Sequence, residues 1–327
     1  MASVKEQWAP FAEKYKIHPD TYNHFRRVQE LGFKPFHEIS LEEARKQTEI
    51  AGIAFGGKID FSGTDREIIV PSPHSENGIP VSVYKPASCP ERPAILVYFH
   101  GGGFIASSRR THEAVLKIIA RESRAIIVNV EYRLLPRPEA VYAPFDDGLV
   151  VTQWVLSNRA VVGGHAKSKV GVGGDSAGGH IAGGVSNVLP EPLDFQVLIY
   201  PGLKVPEEPP SVREFADVPG LSKEALAYIL ANSVSNIPDQ ASNPRINPYA
   251  GQFSASHPET FVLLCQLDPL RDSGLMYAHR LREAGVKVTC EMLEGIPHGF
   301  FPQCDTYRQK GPEAYALVAR FLNQFHT

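Results

Sequence analysis

Four cysteines in 327 residues, Cys89, Cys265, Cys290 and Cys304, show neither C-x-x-C spacing nor a companion histidine cluster. No disulfide framework and no zinc site are therefore expected, and a reducing compartment is the simpler inference. Basic clusters are equally scarce: nothing exceeds the pairs Arg26-Arg27 and Arg109-Arg110, and the net charge is −3. Because phosphate electrostatics dominates nucleic-acid binding, no nucleic-acid partner is expected. No stretch approaches the roughly 20 apolar residues of a membrane span, so no stable membrane anchor is expected. The opening "MASVKEQWAPFAEKYKIH" has no apolar run of signal-peptide length, which makes the cytoplasm the expected location. Internal repeats and low-complexity tracts are missing as well.

What the chain does have is an ordinary globular balance, 43% hydrophobic and 21% charged, enough for one large or two modest domains. From about residue 79, β-rich runs alternate with helical patterns: "IPVSVYKP", "PAILVYFHGGG", "RAIIVNVEYR", "KVGVGGDS", "FQVLIYPG", "TFVLLCQLDPL" and "VKVTCEMLEG". Several are continuously apolar, as strands covered on both faces are. Helix patterns fall at about 109–123, 144–159, 176–189, 272–284 and 312–325. This alternation predicts an α/β fold, a mostly parallel central sheet flanked by helices. Two stretches break it. Residues 1 to about 55 are helix-like with scattered aromatics, and 202 to about 245 is Pro/Ser-rich around "SKEALAYILANS". Each reads as a lid or as surface decoration.

The densest glycine cluster is "VGVGGDSAGGH", residues 170–180. It is not a dinucleotide fingerprint, because Ser176 stands where the third glycine is needed, and not a P-loop, because no lysine follows Gly178. What remains is G-x-S-x-G, a serine on a tight turn between strand and helix. Ligands of open α/β sheets bind beyond the carboxyl ends of the strands, and there four reactive segments coincide. His100-Gly101-Gly102-Gly103-Phe104, Ser176, Asp268 and His298-Gly299-Phe300 each follow a predicted strand.

Ser176 needs a neighbouring imidazole to accept its proton, and that imidazole needs a carboxylate to hold its tautomer; His298 and Asp268 supply both. The backbone N–H of Ala177 and those of the glycines after His100 are the candidate oxyanion donors. Ser176 also reads as a helix N-cap. Asp272 competes with Asp268 but suits a helix start. His257 precedes a strand, His279 lies within a helix and His326 at the terminus, which leaves His298 as the histidine in a loop after a late strand. "HEAVL" at 112–116 lacks the second histidine of a zinc-protease helix, so no metal is expected.

"HGGGF", "EYRLLP", "GDSAGG", "DPLRDSGLMYAHRLREAGVKVT" and "PHGF" together resemble the successive blocks of the hormone-sensitive-lipase-like branch of the α/β-hydrolases, which includes arylacetamide deacetylases and bacterial carboxylesterases. The resemblance implies a cofactor-free serine carboxylesterase acting on a small-molecule ester, short to medium in acyl chain, through an acyl-enzyme. Ser176, Asp268 and His298 would form its triad, and Gly101, Gly102, Gly103 and Ala177 its oxyanion hole. It also implies one α/β-hydrolase domain over 1–327, with cap segments at 1–50 and 202–245 and a catalytic core of 55–201 and 246–327. A homodimer is a further expectation, dimers being common in similar proteins. His100, Phe104, His180 and Phe300 are the candidate substrate contacts; the resemblance and its position before the glycines favour His100 in shaping the oxyanion loop, His180, one helical turn beyond Ser176 where asparagine is expected, also reads as structurally packed or hydrogen-bonded, and Phe104 and Phe300 also read as core. Two other functions stay open: a non-catalytic receptor resembling the gibberellin receptor, whose kind loses the triad histidine, and an amidase, deformylase or lactonase using the same triad.

Overall fold

The computed structural model describes residues 2–327. Eight strands form one sheet: β1 (Gly63–Ser72), β2 (Ser75–Pro86), β3 (Ile95–Phe99), β4 (Ile126–Val130), β5 (Val170–Asp175), β6 (Phe195–Ile199), β7 (Glu259–Leu267) and β8 (Val288–Pro297). Their order is β1-β2-β4-β3-β5-β6-β7-β8. The β1–β2 and β2–β4 pairs are antiparallel and all others are parallel. The sheet is thus mostly parallel, as the continuous apolar runs predicted.

The helices are α1 (Val4–Ala12), α2 (Pro19–Glu30), α3 (Leu41–Gly56), α4 (Arg109–Ser123), α5 (Ala143–Ser157), α6 (Ala177–Val188), α7 (Pro210–Glu214), α8 (Lys223–Ala231), α9 (Arg271–Glu283) and α10 (Lys310–Leu322). Strand β3 shows why its residues must all be apolar. Ile95, Val97 and Phe99 join one core with side chains of α5, α6 and α9, whereas Leu96 and Tyr98 join another with α4 and α10. Successive side chains point to opposite faces, and both faces are covered.

Strand β1 was not predicted from the sequence. "GTDREIIVPS" carries three charged residues, which are depleted in strands, and it lies at the sheet edge with most of its length exposed. Only pairing with β2, in register from Gly63↔Pro86 to Val70↔Ile79, makes it a strand.

The N-terminal helices open on local signals. Capping boxes start α1 (Ser3 with Glu6) and α3 (Ser40 with Glu43), and Pro19 occupies the first turn of α2. Trp8 is fully buried, with ring centroids 5.8 Å from Phe11 and 5.3 Å from Phe25. Phe11 stacks on Phe215 at 6.0 Å, so this cluster reaches the segment around α7. Glu214 completes the joint: it accepts hydrogen bonds from Tyr15 at 2.5 Å and from Arg271, at the start of α9, at 2.9 Å, and it pairs with Lys14. The two stretches that interrupt the strand-helix alternation are therefore packed on each other and tied to the end of β7.

His24 of α2 sits among the rings of Phe25, Phe55 and Tyr307, its Nδ1 3.0 Å from Thr306 Oγ1. Burial, helped by the charge of Arg27, pushes its pKa down to about 3. The folded protein binds fewer protons at this site than the unfolded chain, whose histidine titrates near ~6.5. This contribution is fully present above that value and is lost as pH falls toward 3, by up to about 1.4 kcal/mol per pH unit. Urea unfolding at pH 7.5 and 4.5 should show a lower midpoint at 4.5, and His24→Gln should reduce the difference between the two.

Candidate active site

Where β5 runs into α6, the backbone turns sharply. Ser176 takes φ 53° and ψ −118°, a conformation that costs a residue with a Cβ of order 1–3 kcal/mol. The turn is held from outside: Ser176 N–H donates to Ile199 O at 2.8 Å. Glycines on either side allow it to pass close to β3. A Cβ on Gly178 would lie 1.9 Å from Phe99 O, and one on Gly174 would lie 2.3 Å from the Gly178 backbone. The motif's glycines are thus required by backbone contact. The result is a serine side chain lifted above the carboxyl edge of the sheet.

Strands β7 and β8 deliver the other two groups. Asp268, fully buried just after β7, has Oδ2 2.7 Å from His298 Nδ1, and its Oδ1 accepts the N–H of Leu270 at 2.8 Å. His298 directly follows β8, and its Nε2 lies 2.8 Å from Ser176 Oγ. A carboxylate only accepts, so Nδ1 donates to Asp268, and Nε2 of the neutral ring turns its lone pair toward the serine hydroxyl. Asp272 is engaged elsewhere: it accepts from Ser211 N–H at 2.9 Å and from Arg271.

The glycine loop after β3 forms the facing wall. Among the described residues, no acceptor is bonded to the N–H of Gly102, Gly103 or Ala177. Gly101 differs from expectation. Its N–H donates to Asp175 Oδ1 at 2.9 Å, so it is not free to receive an oxyanion.

The four proposed substrate contacts also separate. Phe104 and His180 line the cavity over Ser176, about 570 Å³ in volume. His180 is buried there, its ring meeting Phe104 edge-on at 5.3 Å and its Nε2 bound to Ile246 O. His100 and Phe300 do not line it. His100 is fully buried behind the loop, stacked on Tyr132 at 4.2 Å with Nδ1 2.8 Å from Gly101 O. Burial first, then the charge of His112, pushes its pKa down to about 3, which keeps it neutral. Phe300 packs against Tyr200, Phe301 and Tyr307 inside the second core.

Several lining residues were not singled out from the sequence. Leu226, Ile229 and Leu230 of α8 face the cavity together with Leu221 and Phe36. Their i, i+3, i+4 spacing was the available signal, but a helix of nine residues does not reveal what its apolar stripe will cover.

A serine, a histidine and a buried carboxylate joined in sequence at the carboxyl edge of a parallel sheet are the constellation of a serine hydrolase. The chain belongs to the α/β-hydrolase family, in its hormone-sensitive-lipase-like branch: a family model described as alpha/beta hydrolase fold matches residues 96–302, and one described as carboxylesterase family matches 22–136. It is 28% identical over 301 residues to an ethyl acetate hydrolase of Pseudomonas putida, covering 89% of this chain and 92% of that one. With carboxylesterase NlhH of Mycobacterium tuberculosis it shares 35% over 229 residues, 68% of this chain and 71% of the relative. The solved structure of a Pyrobaculum calidifontis esterase superposes with a TM-score of 0.83 at 28% identity, covering 94% of this chain and 99% of the other. The protein is a carboxylic ester hydrolase. No helix among the described residues is long and apolar enough to cross a membrane.

The tight turn yields a test. Gly178→Ala should displace β3 or the serine turn, lowering stability by at least about 1–3 kcal/mol. Thermal unfolding should show the loss as a drop of several degrees, and esterase turnover should fall with it. An alanine variant with unaltered melting and turnover would contradict the contact with Phe99.

Proposed function

We propose that the protein hydrolyses short- to medium-chain carboxylic esters through an acyl-enzyme on Ser176. The observation that carries this reading is the unbroken line Ser176 Oγ, His298 Nε2, His298 Nδ1, Asp268 Oδ2, with contacts of 2.8 and 2.7 Å. In the first half-reaction Ser176 Oγ attacks the ester carbonyl carbon while His298 Nε2 takes the hydroxyl proton. Asp268 holds the imidazolium that forms. The carbonyl oxygen, now negative, meets the N–H groups of Gly102, Gly103 and Ala177, donors fixed before the charge appears. The C–O bond to the alcohol breaks, and His298 returns its proton to the leaving alkoxide. Water repeats the sequence on the acyl-enzyme, releasing the carboxylic acid and restoring the serine.

The segments around α1 to α3 and around α7 and α8 act as a cap in this reading. They supply Phe36, Leu221, Leu226, Ile229 and Leu230 to the wall opposite Ser176, so an acyl or alcohol group enters an apolar chamber. A non-catalytic receptor on the same scaffold has no need of a histidine poised at hydrogen-bond distance from both serine and carboxylate.

Two measurements test the proposal. Ser176→Ala should cut turnover of p-nitrophenyl butyrate by on the order of a thousandfold or more, and only the parent protein should be labelled by a fluorophosphonate probe. Unchanged turnover in the variant would rule out Ser176 as nucleophile. Across p-nitrophenyl esters from acetate to palmitate, kcat/KM should be highest at short or medium length and fall steeply toward palmitate. A maximum at palmitate would contradict the size assigned to the chamber.

A further inference from the structure

His112, in the first turn of α4, takes no part in the line from Ser176 to Asp268, yet it is buried and borders the cavity beside Asp175. Its hydrogen-bond partners determine its protonation. Nδ1 lies 2.8 Å from Thr111 Oγ1, and Thr111 gives its one hydroxyl proton to Ser108 O, also at 2.8 Å. A carbonyl oxygen only accepts, so the proton between Thr111 and His112 comes from Nδ1.

On the other side, Nε2 stands 3.1 Å from Asp175 Oδ1. No hydrogen bond is aligned there, so what the contact offers a protonated ring is charge attraction across a short distance. An unprotonated Nε2 would set its lone pair against a carboxylate. Asp175 is itself ionised: burial alone would raise its pKa, but the charge and contact of His112, with hydrogen bonds from Tyr98 and Gly101, hold it below the usual carboxylate range. The other groups around His112 do not favour a cation. The helix N-terminus opposes it, Arg109 is paired with Glu67 and Glu131, and the neutral ring of His100 lies 5.7 Å away. Among these groups only the Asp175 carboxylate favours a second proton on the ring.

The same carboxylate touches two of the catalytic loops. Oδ1 accepts from Gly101 N–H at 2.9 Å and from Tyr98 OH at 2.8 Å. Oδ2 lies 3.4 Å from Tyr200 OH, which accepts the N–H of Phe301, in the loop carrying His298, at 3.2 Å. We propose that His112 is kept as an imidazolium paired with Asp175, and that this buried pair positions the oxyanion loop without leaving an uncompensated negative charge beside it. The need for compensation is electrostatic, since a lone carboxylate at the glycine loop would oppose the developing oxyanion. The functional part of the inference rests on the reading of Ser176 as nucleophile and Gly102 and Gly103 as donors.

The protonation part is tested on the unmodified protein. By 15N NMR at pH 7.5, with His112 assigned by its disappearance in His112→Gln, both ring nitrogens should carry protons; a ring with one bare nitrogen overturns the proposal. In kinetics, His112→Gln should lower kcat for p-nitrophenyl butyrate by about 10- to 100-fold with KM within about twofold, because the donors act on the transition state. Adding Asp175→Asn removes the stranded charge while keeping an acceptor for Gly101 and Tyr98. The double variant should therefore regain at least about threefold of the lost kcat; a double variant slower than the single one would reduce the pair to packing and refute its electrostatic role. Fluorophosphonate labelling of the parent and of Ser176→Ala tests the nucleophile separately, so a failure there is distinguishable from a failure here.

Discussion

Everything at this site depends on how closely the β5–α6 turn passes the end of β3. Gly178 leaves no space for a Cβ beneath Phe99 O, and within the same turn Ser176 takes a positive φ. That strain persists because neighbouring strands over-determine it: Ile199 O takes the Ser176 N–H, and the flanking parallel ladders fix β5 in register with β3 and β6. With the turn in place, the start of α6 and the glycine loop after β3 both line the cavity over Ser176, and the N–H groups of Gly102, Gly103 and Ala177 carry no bond to an acceptor among the described residues. Were the backbones farther apart, the same residues would be a capped helix and a flexible loop.

The charges around this turn follow one rule: none is buried without a partner. Asp268 is matched by His298 and the Leu270 N–H, Asp175 by His112, Tyr98 and Gly101, and Asp147 by a bidentate Arg133. Histidines lacking such a partner, His24 and His100, are instead held neutral by burial. Buried low-dielectric surroundings tolerate ionised groups only in this form.

Legibility from sequence was uneven, for identifiable reasons. Seven strands and the helices flanking the sheet were readable because the central strands, covered on both faces, are nearly continuous in apolar residues and the outer β2 and β8 still carry β-branched and apolar residues, and Ser176, Asp268 and His298 because each directly follows a predicted strand. Strand β1 was not readable, since an exposed edge strand carries no apolar signature. Phe300 and Gly101 were placed in the right segments but given the wrong surroundings, and His100 lies behind the glycine loop rather than on the cavity wall. A glycine-rich loop reverses direction within one residue, and local sequence does not say which way a side chain or an N–H will face. His112, considered only as the histidine of "HEAVL", was not linked to Asp175 for a related reason, because it sits on a helix 63 positions before the aspartate it meets.

The sequence by itself determined the α/β alternation and the three candidate reactive groups with their order along the chain, because these follow from local periodicity and from the chemistry of residue types. Tertiary structure alone decided which N–H groups remain unbonded, which histidines are neutral, and which helices close the chamber over Ser176. Those properties depend on distances between segments far apart in the chain. A hydrogen bond or an ion pair exists only once two such segments are within about 3 Å of each other, and no local pattern encodes that approach.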